Sequence, residues 1–122
     1  MAEEERNINV ELLTFKGEDC LKFSFIGQFT VDDAEFGVSE WKEVFASAGD
    51  EKVIIIWDSK QMTGFENKAR VIWQKAIKDF KKQIDCVWLI SDSKIIRAGA
   101  KVMSAFTSFS LKVVNDESKI KF

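Results

Sequence analysis

Two apolar runs constrain this chain more than any other feature. "KVIIIWD" (Lys52–Asp58) and "DCVWLIS" (Asp85–Ser91) are hydrophobic without alternation and are bounded by polar turns. A strand with one wet face alternates, whereas a run of this kind suits a strand covered on both faces, as in a parallel sheet. Between the two runs the period changes. Phe65, Ala69, Ile72, Trp73, Ala76 and Phe80 recur at helical spacing, with Lys68, Arg70, Lys75, Lys78 and Lys81 left to face water. A long helix is expected from about Phe65 to Gln83.

The flanking segments extend the pattern. "INVELLTF" (Ile8–Phe15) is rich enough in apolar and β-branched residues for a strand, "GED" (Gly17–Asp19) is a turn signal, and "CLKFSFIG" (Cys20–Gly27) alternates. Leu21, Phe23 and Phe25 fall on one face and Lys22 and Ser24 on the other, which predicts a hairpin with one face on the core. Val31, Ala34, Val38, Trp41, Phe45 and Ala48 mark a second amphipathic helix. Thr30 and Asp33 have capping-box character at its start, Asp32 and Asp33 suit its positive end, and Gly49 is a natural stop. "DSKIIRAGAKVMSAF" predicts a third helix, with Ile95, Gly99, Val102, Met103 and Phe106 on one face. Gly99 costs up to about 1 kcal/mol against Ala in mid-helix, which suggests close packing on the sheet. "SLKVVND" (Ser110–Asp116) is a last strand, and "ESKIKF" extends it or forms a short helix. The expected class is therefore α/β in the order β-β-α-β-α-β-α-β. Its sheet is mixed but mainly parallel, with helices packed against it, in a single domain over 1–122.

Composition removes several chemistries. The chain has no His, so a Ser-His-Asp triad, a Cys-His pair and a His-ligated zinc site are impossible. No Pro is present, so turns rest on Gly, Asp, Asn and Ser. A net charge of −2 argues against a broad grip on nucleic acid. The Lys residues between Lys75 and Lys82 enclose Asp79 and suit a solvated helix face. No apolar run approaches the roughly 18–20 residues of a membrane span, and the acidic start is the reverse of a signal peptide, so a cytoplasmic location is expected. Cys20 and Cys86 each lie in apolar surroundings and are expected as buried thiols rather than a disulfide. Trp41, Trp57, Trp73 and Trp88 fall one to an element and are expected in the core. No metal, cofactor or catalytic residue is expected.

The stretch Asp58–Glu66, "DSKQMTGFE", is the first candidate site. It has a structural reading: Asp58 and Ser59 close the strand, Gly64 frees the backbone, and Thr63 and Glu66 form a capping box. It also has a binding reading, because ligands of open α/β sheets sit at the carboxyl ends of parallel strands, where helix N-terminal amides favour anions. Ser91, Asp92 and Ser93 repeat the situation after the next strand, with Asp92 or Ser91 as the expected helix cap. Met103, Phe106 and Phe109 are either core at the sheet edge or an apolar patch for a partner or a lipid-sized ligand. A hydrolase based on Asp58 and Ser59 is the weakest reading, because no nucleophile has a credible base beside it.

"IIIWDSKQMTGFENKARVIW", "VWLISDSKIIRAGAKVMSAFTSF" and "LKVVNDESKI" resemble stretches of the STAS family (sulfate transporter and anti-sigma factor antagonist). They are most similar to its SpoIIAA-like, STAS/SEC14-type stand-alone members, and the likeness covers about Lys52 to Phe122. It implies a regulatory or ligand-binding module without catalysis. It also implies a phosphorylatable Ser at the helix start, near Gly64, Phe65 and Glu66. That Ser is missing, and Glu66 places a fixed negative charge in the region instead. The nearest hydroxyls are Ser59 and Thr63. Two functions emerge as expectations. In the first, a protein partner is bound through the turn Asp58, Ser59, Thr63, Gly64, Phe65 and Glu66 and the helix that follows it, with Ser91, Asp92 and Ser93. In the second, a small apolar ligand is sheltered between the later helices and the sheet. A homodimer is compatible with either.

Overall fold

The computed structural model describes residues 6–104 and 110–122, the side chains of 103 and 104 excepted. The elements run β1 (Ile8–Phe15), β2 (Glu18–Phe29), α1 (Val31–Ala48), β3 (Val53–Phe65), α2 (Asn67–Phe80), β4 (Ile84–Ile90), α3 (Lys94–Ser104) and β5 (Ser110–Val114). Short 3-10 turns at Lys81–Gln83 and Glu117–Lys119 come after α2 and β5. The expected mixed α/β order is therefore the one adopted.

The five strands lie in the order β1-β2-β3-β4-β5. β1 and β2 form the antiparallel hairpin, with Ile8 opposite Phe25 and Phe15 opposite Glu18. β2, β3, β4 and β5 are successively parallel. Each crossover thus steps one strand in the same direction. With one handedness of crossover, all helices land on one face. Accordingly, the larger buried cluster joins Leu21, Phe23, Phe25, Ile55, Trp57, Val87 and Leu89 of the sheet to Trp41 and Phe45 of α1, Trp73 and Ile77 of α2 and Ala100 of α3.

Among the described residues no α-helix packs on the opposite face. Cys20, Ile54, Ile56, Trp88 and Ile90 form a second buried cluster there, and Ile120 from the C-terminal segment covers it. Lys16 holds that segment by donating from Nζ to the carbonyls of Ser118 (2.9 Å) and Ile120 (2.7 Å). Phe122 stands edge-on to Phe15 and Trp88. This is why β3 and β4 do not alternate: both faces are dry, one under helices and the other under the C-terminal tail. The tail does form a short helix, and its Asp116 side chain accepts from Ser118 N at 3.0 Å.

Local signals explain the helix ends. Thr30 Oγ1 accepts from Asp33 N while Asp33 Oδ2 accepts from Thr30 N, the reciprocal pair expected at the start of α1. Buried Asp33 also accepts from Asn7 N at 3.0 Å, which fastens β1 to the helix. Gly49 ends α1 at φ 63°. Gln83 then donates from Nε2 to the Phe45 and Gly49 carbonyls, both at 2.9 Å, and so satisfies acceptors at that end.

Two sequence expectations need correction. First, α2 begins at Asn67 rather than Phe65, because β3 continues seven residues past Asp58. Second, α3 is rolled about one residue from the expected face. Ile96 and Ala100 are buried, whereas Ile95 and Val102 are 76% and 57% exposed. The helix carries two adjoining apolar stripes, and periodicity cannot choose between them. The choice is made by Arg97, whose Nε donates to the Ser91 carbonyl at 2.7 Å and fixes the roll. Gly99 is not under pressure: a Cβ there would lie 3.6 Å from Phe65, an ordinary contact. Gly37, unmarked by periodicity, is the helical glycine that a Cβ would crowd, at 2.8 Å from Trp73.

Candidate functional site

The two dry strands are adjacent and parallel, with Ile56 opposite Trp88 and Asp58 opposite Ile90. Their C-terminal ends do not lead into a shared turn. β3 runs on from Asp58 to Phe65 paired only with β2, through two register shifts. Seven extended residues span up to roughly 20 Å. The start of α2 is thereby carried away from the end of β4 and toward the end of β2, where Glu66 N donates to the Phe29 carbonyl at 2.9 Å.

The expected site residues are distributed accordingly. Asp58 faces the helix-free side, half-buried, with Oδ2 3.9 Å from Lys22 Nζ. Lys22 in turn meets Glu117 at 3.3 Å, so Asp58 belongs to the group that anchors the tail. Ser59 points the other way and is 3% exposed beneath the helices. Thr63 sits in the second register shift, between Met62 and Gly64, and is exposed. It caps nothing. Gly64 has Gln28 close by, with Oε1 2.7 Å from where a Cβ would stand. Glu66 is the N-cap residue of α2 yet makes no side-chain cap there; its Oε1 accepts from Val31 N, 2.8 Å away, at the start of α1. The expected Thr63–Glu66 capping box is therefore absent because the helix starts later and the carboxylate serves a different helix. After β4, Ser91 Oγ accepts from Ser93 N (3.0 Å) and Ser93 Oγ accepts from Ile96 N (3.3 Å). Ser93, not Asp92 or Ser91, caps α3, and Asp92 is exposed. The side chains of Met103, Phe106 and Phe109 lie outside the described residues.

The strand faces bring together a different set. A cleft holding about 460 Å³ of empty space, its open mouth included, lies between the sheet and helices α2 and α3. Its floor is Trp57, Ser59 and Leu89, with Met62 and Phe65 from the β3 extension. Arg70 and Trp73 of α2 form one wall and Ile96, Gly99 and Ala100 of α3 the other. The interior is narrow, wide enough for a file of a few waters. Among the expected site residues whose side chains are described, Ser59 and Phe65 reach it. In the sequence alone Arg70 looks solvent-facing, Trp73 looks like core and Ala100 is unremarkable. The sequence signal that separates Arg70 from its lysine neighbours is slight: it lies next to Ala69, which is buried.

Little of the cleft's accessible surface is polar. The Trp57 indole N–H is buried without a partner. Among the described residues the Ser59 hydroxyl and the Arg70 guanidinium have no side-chain hydrogen bond or ion pair. Glu66, one helical turn before Arg70, is the obvious carboxylate partner, but it is engaged by Val31 N. Elsewhere the cysteines are inert thiols: both are free, and burial pushes Cys20 up to about 11 and raises Cys86. Among the described residues no group of three or more His, Cys, Asp or Glu is placed to hold a metal ion, and no helix is long and apolar enough to cross a membrane.

No family model and no curated protein sequence matches this chain. Solved structures do. An uncharacterized protein of the DUF3478 family with a SpoIIAA-like fold, from Shewanella loihica PV-4, superposes with a TM-score of 0.80 at 18% identity, over 97% of this chain and 94% of that one. The anti-sigma factor antagonist SpoIIAA in its unphosphorylated form superposes with a TM-score of 0.63 at 12% identity, over 91% and 93%. At such identities the likeness is one of architecture, and the four-parallel-strand sheet with its N-terminal hairpin and one-sided helices is that architecture: this chain has the SpoIIAA-like fold.

Proposed function

We propose that this protein is a non-catalytic binding module whose ligand is a small, largely apolar molecule held in the cleft between α2, α3 and the sheet. The observation that carries this reading is the cleft itself. Its walls are aromatic and aliphatic, the lining in which small apolar ligands are held. Catalysis is disfavoured because, among the described residues, the lining offers a hydroxyl and a guanidinium but no carboxylate, imidazole or thiol to act as a base. Native mass spectrometry of the protein purified from its host tests the reading. A small-molecule adduct is expected, and it should be lost in Ala100→Leu, which fills the wall. An adduct that survives this change, or none at all, counts against the cleft.

A protein partner is the second reading, favoured by the likeness to an anti-sigma factor antagonist and by the exposed Ile95 and Val102 on α3. The expected docking stretch Asp58–Glu66 supports it less well, since its residues are spread over both sheet faces. In the same spectra a polypeptide adduct, abolished by Ile95→Asp but kept in Ala100→Leu, would favour this second reading.

A further inference from the structure

The chain is acidic overall, yet its charge is divided in space. Residues 67–104, which carry α2 and α3, hold nine of the 18 Lys and Arg but three of the 20 Asp and Glu. The outward stripe of α2 and the turn after it is Lys68, Val71, Lys75, Lys78 and Lys82, all exposed. The outward stripe of the adjoining α3 is Lys94, Ile95, Ala98, Lys101 and Val102. On the other side of α2, α1 turns Asp32, Glu35 and Glu43 outward instead. Among the described residues Lys68, Lys78, Lys82 and Lys94 have no ion pair, and Lys75 meets Asp79 at 3.0 Å. Aliphatic side chains stand among these cations: Ile95 is 76% exposed, Val102 57% and Val71 56%. Each is flanked by lysine, Val71 by Lys68 and Lys75 at helical spacing, Ile95 by Lys94 and Val102 by Lys101.

From this we infer that the α2–α3 face docks on an anionic lipid bilayer. The lysines meet the headgroups, and the aliphatic side chains enter the boundary beneath them. The negative net charge does not prevent this, because acids more than about 10 Å away are screened by salt. The side-chain chemistry favours a bilayer over an acidic protein. Protein interfaces are depleted in Lys and enriched in Arg, which pairs carboxylates bidentately. Here the outward cations are lysines, and Arg97 is turned in to the Ser91 carbonyl. Nucleic acid is disfavoured because, among the described residues, no aromatic ring of either helix is exposed for base stacking.

Docking is independent of the cleft and of any ligand in it. The full chain is co-sedimented with vesicles of phosphatidylcholine alone and of phosphatidylcholine mixed equally with phosphatidylglycerol. Binding is expected to the anionic vesicles only, and it should disappear at about 1 M salt, where the screening length falls to about 3 Å. Lys78→Glu with Lys82→Glu should weaken it by about tenfold or more, since each cation near such a surface contributes about fivefold. Ile95→Ser with Val102→Ser should weaken it by about tenfold. All four positions are exposed, so these variants should melt like the parent. Glu11→Lys with Glu18→Lys, at exposed positions of the hairpin, changes the net charge by as much in the other direction and should leave binding little changed. No binding to the anionic vesicles, or equal binding to the neutral ones, would overturn the proposal. So would a gain in the hairpin variant as large as the loss in the lysine variant, which would mean that net charge alone is at work. Undiminished binding in Ile95→Ser with Val102→Ser would overturn insertion, and equally tight binding of soluble polyglutamate would reassign the face to an acidic polypeptide.

Discussion

Gly37→Ala isolates the contact on which the helix layer depends. A Cβ at position 37 would stand 2.8 Å from Trp73 Cζ3, 3.0 Å from Trp73 Cη2 and 2.9 Å from Ile8 Cδ1. The Ile8 methyl can swing away, but the indole cannot. Phe23, Phe25, Phe29, Trp41 and Trp57 surround it with ring centroids 5.1–6.3 Å distant. Overpacking against so confined a ring costs about 2–3 kcal/mol, at the upper part of the usual range. Replacing Gly by Ala inside a helix returns about 1 kcal/mol. The net loss is therefore about 1–2 kcal/mol, and at this chain length it lowers the melting temperature by about 3–10 °C. Thermal melts followed by far-UV circular dichroism measure it without relying on the tryptophans. Trp73→Phe deletes the clashing carbons, so Gly37→Ala should cost less in that background, and a double-mutant cycle should give a coupling of about 1 kcal/mol or more. If Gly37→Ala melts at or above the parent, only the helix-propensity gain has been seen, and the close approach of α1 to α2 is refuted.

Glu66→Ala removes the acceptor for Val31 N and should cost about 0.5–2 kcal/mol, while Thr63→Ala should leave the melting temperature unchanged, because Thr63 caps nothing; equal losses in urea titrations would restore the capping box read from the sequence. Ile120→Ala should cost about 2–5 kcal/mol and raise dye binding to the uncovered Trp88 and Ile90 face, and a melt like the parent's would mean that the tail does not seal that face. Burial raises the Cys20 thiol from 9.0 to about 11, so the folded state favours its neutral form; stability from this group is complete below about pH 9 and is lost as the pH rises toward 11. Urea midpoints in Cys20→Ala should show a shallower alkaline decline than the parent, and parallel curves would rule the thiol out as its source.

The order of elements was legible because it rests on local period. Strands with two dry faces, an alternating hairpin and helices with capping signals each declare themselves over a short stretch of chain. The Thr30–Asp33 cap, the Gly49 stop and the four buried tryptophans are in the structure as expected. The site was less legible. "DSKQMTGFE" has the turn-formers of a loop, but pairing with β2 holds it extended, and strand pairing between residues far apart in the chain, such as Ile26 with Gln61, leaves no local mark. Extension sends Asp58 to the tail side and Ser59 to the helix side by simple alternation, which no composition-based view of a turn would separate.

What the chain determined by itself was class and order: buried strands, amphipathic crossovers, no histidine chemistry. What only the tertiary structure decided was which polar groups are left wanting. Arg70 reads as one cation among many until Glu66 is seen to serve α1, and Ser59 reads as a turn residue until α2 and α3 close over it. The physical reason is that charge and hydrogen-bond satisfaction are properties of neighbours in space. Periodicity places a residue on a face, but only the packed fold says what that face meets.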